Sequence, residues 1–157
     1  MSDSKRLARQ MGLVLNGGPW HGPSWHDALE GVTRAGALER PIPGAHTIAE
    51  IVFHAAAWHD VVRRRLAGES FEVTAAEDWP PAALPDDGAW AAAMARLFAT
   101  GNALCDAVGR FPSDQLHTQR PGLDDTWFGL ILGELEHMLY HAGQVGLLRK
   151  AAVRVAA

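Results

Sequence analysis

Gly133-Glu134-Leu135-Glu136-His137-Met138-Leu139-Tyr140-His141-Ala142-Gly143-Gln144 places two histidines four residues apart in a segment with helical apolar spacing. At 3.6 residues per turn, positions i and i+4 stack on one face. Two imidazoles one turn apart can grip one metal ion. They supply two ligands, whereas a divalent transition metal in a protein usually takes three or four. A third ligand must come from elsewhere in the chain.

The helix carrying this pair starts at Asp124, Asp125 or Thr126 and runs to about Arg149 or beyond. His137 and His141 lie within about 40° of each other on the wheel, in a sector shared with Leu130, Gln144 and Leu148. A second apolar sector holds Phe128, Ile131, Leu132, Leu135, Leu139 and Ala142, and only Glu136, Tyr140, Gly143 and Lys150 form a polar arc. A helix this widely apolar is covered on several sides. That width favours a homodimer.

Working back from it, residues 112–125 are a connection rich in Pro, Gly and Asp, and Phe111-Pro112 closes the preceding helix. That third helix is capped by Asp86 or Asp87, and its stripe is Trp90, Met94, Leu97, Phe98, Gly101, Leu104 or Cys105, and Val108. Cys105 falls on this stripe as a packing residue rather than a nucleophile. Residues 69–85 contain Trp79-Pro80-Pro81 and Pro85 and have no helical period. They form a long ordered crossover, because Phe71 and Trp79 need somewhere to pack. Thr47-Ile48-Ala49-Glu50 is a capping box, so a second helix begins at about Ile48, with Ile51, Val52, Ala55, Trp58, Val62 and Leu66 on one face. Arg63, Arg64 and Arg65 suit its C-terminal end, and Gly68 is its stop. Ser24 with Asp27 caps a first bundle helix ended by Pro41-Ile42-Pro43-Gly44, and residues 1–19 are an extension with a short helix at about 4–15. Four principal helices with one long crossover predict an all-α four-helix bundle, a single domain over residues 1–157.

On the second helix, His54 sits at the edge of the apolar face, one turn before Trp58. His59 lies about 140° away and cannot readily share an ion with it. The site predicted from these positions is His54, His137 and His141 with an open coordination position, a set that suits Zn, Ni, Cu or Fe(II). The plainer reading is that the histidines are partly buried and satisfied by hydrogen bonds. Glu134 is the candidate general base or outer carboxylate; Glu136 reads as a solvated residue. Gln144 can hydrogen-bond a ligand of the metal. His21 and His46, at helix entrances, are candidates for the pocket mouth against the reading of loop histidines, and Trp58 is a candidate pocket wall.

The totals narrow the field. Net charge is −4 and no basic stripe stands out, so nucleic acid is not an expected partner. No run approaches a membrane span, the apolar stretch from Met11 to Leu15 is too short for an export signal, and the single cysteine excludes an internal disulfide. A cytoplasmic protein acting on a small molecule is the expectation.

Three segments carry a resemblance. They are Gly44-Ala45-His46-Thr47-Ile48-Ala49-Glu50-Ile51-Val52-Phe53-His54-Ala55-Ala56-Ala57-Trp58, Asp78-Trp79-Pro80, and the stretch from His137 to Gln144. With these the chain resembles the DinB-like superfamily of small metal-binding bundles, over about residues 20–150. The resemblance implies up-down-down-up connectivity, often dimeric assembly, and ligands from one histidine on the second helix and the His-x-x-x-His pair on the fourth. Carried over, these are His54, His137 and His141. It further implies Ni or Zn, and an activity like that of relatives that transfer low-molecular-weight thiols such as bacillithiol or mycothiol, isomerise with a thiol cofactor, or act as metal-dependent hydrolases. Many members have no assigned activity, so a non-catalytic metal- or ligand-binding stress-response bundle is the alternative.

Overall fold

A computed structural model describes residues 1–155; residues 156 and 157, included in the predicted domain, lie outside it. The described residues are helical: α1 (Asp3–Asn16), α2 (Trp25–Leu29), α3 (Arg34–Leu38), α4 (Ile48–Leu66), α5 (Ala75–Asp78), α6 (Asp87–Arg110) and α7 (Trp127–Val155), with a 3-10 turn at Ser113–Gln115. No strand forms among them; Gln119 and Thr126 make one isolated bridge.

Local chemistry sets the starts. Ser24 with Asp27, Thr47 with Glu50, and Thr74 with Glu77 all form reciprocal capping boxes, and the Asp86 carboxylate caps α6 at the Ala89 N–H. α4 ends in Arg63, Arg64 and Arg65, where positive charge meets the carbonyl end of the helix.

Four long helices pack in a ring: α4 against α6 and α7, and α1 against α6 and α7. This corrects the sequence expectation at its N-terminal end. The segment begun by Ser24 is not one long helix but α2 and α3, separated at Gly31, whose φ of 72° a helix does not accept. The long helix is α1, within the expected extension. It buries Met11, Val14 and Leu15 in the common core. Its seat on α6 depends on Gly101, where an added Cβ would meet Leu15 Cδ2 at 2.7 Å and His59 Cε1 at 3.1 Å.

The contacts keep register. Ser4 N–H donates to Ser113 Oγ at 3.2 Å, and Asn16 to Asn102 at 3.0 Å. His59 lies 3.3 Å from Thr100 on α6. Trp25 fastens α2 to α7 by donating its indole N–H to the Met138 carbonyl at 3.0 Å, and Trp90 donates likewise to the Val32 carbonyl at 2.9 Å. The crossover from α4 to α6 contains α5 and is ordered as expected. Its Phe71 lies under the Arg64 guanidinium at 4.1 Å, and its Trp79 packs into the site described next.

Candidate metal centre

His54, one turn before Trp58 on α4, meets His137 and His141 from α7. One nitrogen from each of the three lies within 4.8 Å of the others. His54 and His141 are each 5% exposed, while His137 is half-buried. α4 brings one ring because His54 stands at the margin of a face that buries Ile51, Val52, Ala55 and Val62. α7 brings the pair because Met138 and Ala142, beside them, are core residues.

Each ring is held from behind. His54 Nδ1 stands 2.6 Å from the backbone carbonyl of Asp78, and His141 Nδ1 stands 2.6 Å from Gln144 Oε1. His137 Nδ1 stands 3.4 Å from the Glu134 carboxylate. All three are acceptors, so they favour the proton on Nδ1 and leave the Nε2 lone pair free. Nε2 of His54 and Nε2 of His137 face each other across 2.8 Å, and with both Nδ1 atoms protonated no proton lies between them. A cation relieves that opposition, and oriented imidazoles backed by acceptors are the usual setting of a metal-ligating histidine. A tetrahedral ion with bonds of about 2.0–2.1 Å holds its nitrogens about 3.3 Å apart, within the range this cluster spans. The donor set therefore fits a divalent transition metal.

Electrostatics point the same way. Burial pushes the His141 pKa down to about 4, with the neighbouring charge of His137 adding to it. Burial also lowers His54, against the pull of the Asp78 carbonyl. Both shifts favour the neutral ring, the form a metal needs.

Around this cluster the other expected residues fall as follows. Trp58 is a wall residue: its indole N–H donates to the Asp78 carboxylate at 2.7 Å. His46 lines neither adjoining cavity and stacks on Trp79 with centroids 3.6 Å apart, while the other stacked partner of Trp79 is His54, at 3.9 Å. Gln144 engages the back of His141 rather than a ligand of the metal. Glu134 is 3% exposed and lines the cavity next to the cluster, with its carboxylate at the Nδ1 side of His137 and 3.8 Å from His59 Nε2. His59 is fully buried against Thr100, away from the cluster. His21 is exposed on its turn and joins neither the cluster nor the cavities beside it. Cys105 is half-buried, its thiol pushed up to about 11 by burial, as befits a packing residue.

Two contributors, quoted above within Asp78-Trp79-Pro80, were not read as site residues from sequence. Asp78 orients His54 with its backbone carbonyl, its carboxylate standing 3.3 Å from the same nitrogen while accepting from Trp58, and Trp79 is clasped between two histidines. The signal was Asp78-Trp79-Pro80 itself, a buried-type aromatic in a segment with no helical period.

The arrangement defines a helical protein whose histidines, drawn from two helices, can hold one metal ion. A model of the DinB superfamily matches residues 22–145, most of the chain, and the protein belongs to that superfamily. The match begins after α1, so the helix that completes the packing lies outside the matched segment. Neither the curated proteins nor the solved structures yield a match.

Proposed function

We propose that this protein is a metal-dependent enzyme of the thiol S-transferase type, with His54, His137 and His141 as the ligands of Ni or Zn. The observation that carries the reading is the opposed pair of Nε2 atoms, 2.8 Å apart, in rings whose Nδ1 atoms face acceptors. A divalent ion there supplies a Lewis acid that makes a thiol or a water available as its anion near neutral pH. The chain's own residues do the rest. Asp78, Glu134 and Gln144 hold the three rings in register. Trp79 covers one face of His54, and Trp58 walls the adjoining cavity of about 320 Å³, where a small substrate can reach His54 and His137.

We further infer one domain with up-down-down-up connectivity. Residue pairs between α1 and α6 run in opposite senses, Ala8 with Gly109 and Leu15 with Gly101. Those between α4 and α7 do too, His54 with His141 and His59 with Glu134. Between α4 and α6 the order is the same in both: His59 meets Thr100, and Arg63 to Ala67 share a cavity with Ala103 to Arg110. A same-sense pair needs a long return, which the crossover supplies. A homodimer through the exposed face of α7, with Tyr140 and Leu147 on it, and a cytoplasmic setting for this single-cysteine chain complete the reading. No described helix is long and apolar enough to cross a membrane.

Elemental analysis of protein purified without a His tag tests the site: about one equivalent of metal is expected, lost in His54→Ala. Loaded protein given a thiol with a haloaromatic or an epoxide, beside ester substrates, tests the reaction. Turnover that survives His141→Ala sinks the catalytic reading. Metal bound without turnover on either panel favours the non-catalytic alternative.

A further inference from the structure

We propose that the large cavity beside the histidines is an anion subsite, in which Arg65 and Arg120 hold the carboxylate of the small-molecule substrate. The cavity measures about 930 Å³, the size of a small-molecule site. It shares Trp58 and Asp78 with the smaller cavity lined by His54 and His137, so a ligand seated in one reaches toward the other.

The argument starts from the run Arg63-Arg64-Arg65. Arg63 has the Asp60 carboxylate at 3.1 Å, and Arg64 has that of Glu69 at 2.6 Å. Arg65, the one of the three that lines this cavity, has no carboxylate within 4.0 Å of its guanidinium, and that guanidinium donates no hydrogen bond among the described residues. Its guanidinium lies over the rings of Phe71 and Trp58, at 5.6 and 5.8 Å. Aromatic faces satisfy the charge in part but accept none of its five N–H donors. Arg120, on the opposite connection, lies over Trp127 at 5.8 Å and has a single contact to the Asp125 carboxylate at 3.2 Å, with its side chain 12% exposed. Burial, and after it the charge of Arg120, lowers the pKa of Arg65.

Two half-buried guanidiniums on one cavity wall repel each other, and a shared anion removes that repulsion. The planar fork of arginine matches a carboxylate bidentately. The acidic side chains of the same wall do not fill the role. Glu69 is held by Arg64, Asp78 accepts from Trp58, and Glu72 is exposed and paired with no cation among the described residues. Where the far end of the substrate reacts rests on the proposed histidine site; the anion subsite itself does not.

The test is isothermal titration of the full-length protein with 4-(mercaptomethyl)benzoate and with the matching benzamide, which differ by one charge. Wild type should prefer the acid by about 10-fold or more, the worth of one charged hydrogen bond. Arg65→Gln should abolish that preference and leave the affinity for the amide unchanged. Arg120→Gln should do the same if it folds; Arg65→Gln carries the test if it does not, since the Arg65 guanidinium bonds no other described residue. Equal affinities in wild type, binding of neither compound, or a preference that survives Arg65→Gln overturns the proposal. Metal content is measured on the same samples. Absent metal with an intact preference refutes the histidine reading alone, and metal without a preference refutes the subsite alone.

Discussion

Gln144→Leu is the sharpest probe of the metal centre, because it leaves all three proposed ligands in place. The substitution keeps roughly the volume of the side chain and removes the acceptor 2.6 Å from His141 Nδ1. The ring is 5% exposed, so bulk water does not readily replace the lost partner. Two estimates of the cost agree. A buried donor left unsatisfied costs about 1–3 kcal/mol. Loss of a partner behind a ligating histidine costs about 10–100-fold in metal affinity, or about 1.4–2.8 kcal/mol. Competition of Zn(II) between the protein and a chelating dye measures it, with Gln144→Glu as the control that keeps an acceptor. Weakening in the leucine variant and retention in the glutamate variant are the expected pair. If the leucine variant binds Zn(II) within about 3-fold of wild type, Gln144 does not position His141, and the claim that the rings are locked from behind fails.

Trp79→Ala removes two stacked faces, each worth about 0.5–1.5 kcal/mol beyond its area. Urea denaturation of metal-free protein should therefore show a loss of about 1–3 kcal/mol, together with weaker Zn(II) binding. Deleting residues 1–19 strips Met11, Val14 and Leu15 from the core; at about 1.5–3 kcal/mol each, this rivals the whole stability of a small domain. The truncated chain should lose its cooperative thermal transition, and a transition near the wild-type temperature would mean that α1 is dispensable. The pH dependence of the metal-free protein follows from His141 and His54. Above about 6.5 these histidines are neutral folded or unfolded and contribute no slope. Between that value and about 4 the unfolded chain takes up protons that His141 in the folded chain refuses. The melting temperature should fall with pH across that window, and His141→Gln should flatten the fall.

The site was more legible than the first helix, and the reason is physical. A histidine pair at i and i+4 fixes its own geometry once the segment is helical, and the margin position of His54 follows from the same arithmetic. The N-terminal assignment went astray because Ser24 and Asp27 are a genuine capping box, yet a cap starts a helix without guaranteeing its length. Gly31, in the left-handed region, ends that segment's continuity. α1 was undervalued because its three buried apolar residues say nothing, in sequence, about which helix receives them. Gly101, the contact that makes room for Leu15, is remote in sequence and reads only as a weak point in a helical stripe. Asp78, though part of a quoted segment, was not assigned to the site, for a different reason. The group that orients His54 is a main-chain carbonyl, which every residue type carries.

That last feature has a consequence for how such a protein can vary. A side-chain partner is lost by one codon change, but a peptide oxygen survives any substitution at position 78 that keeps the path of the chain. The grip on His54 is therefore resistant to point mutation there and vulnerable to insertion or deletion between α4 and α5, where a single residue gained or lost swings the carbonyl off the ring.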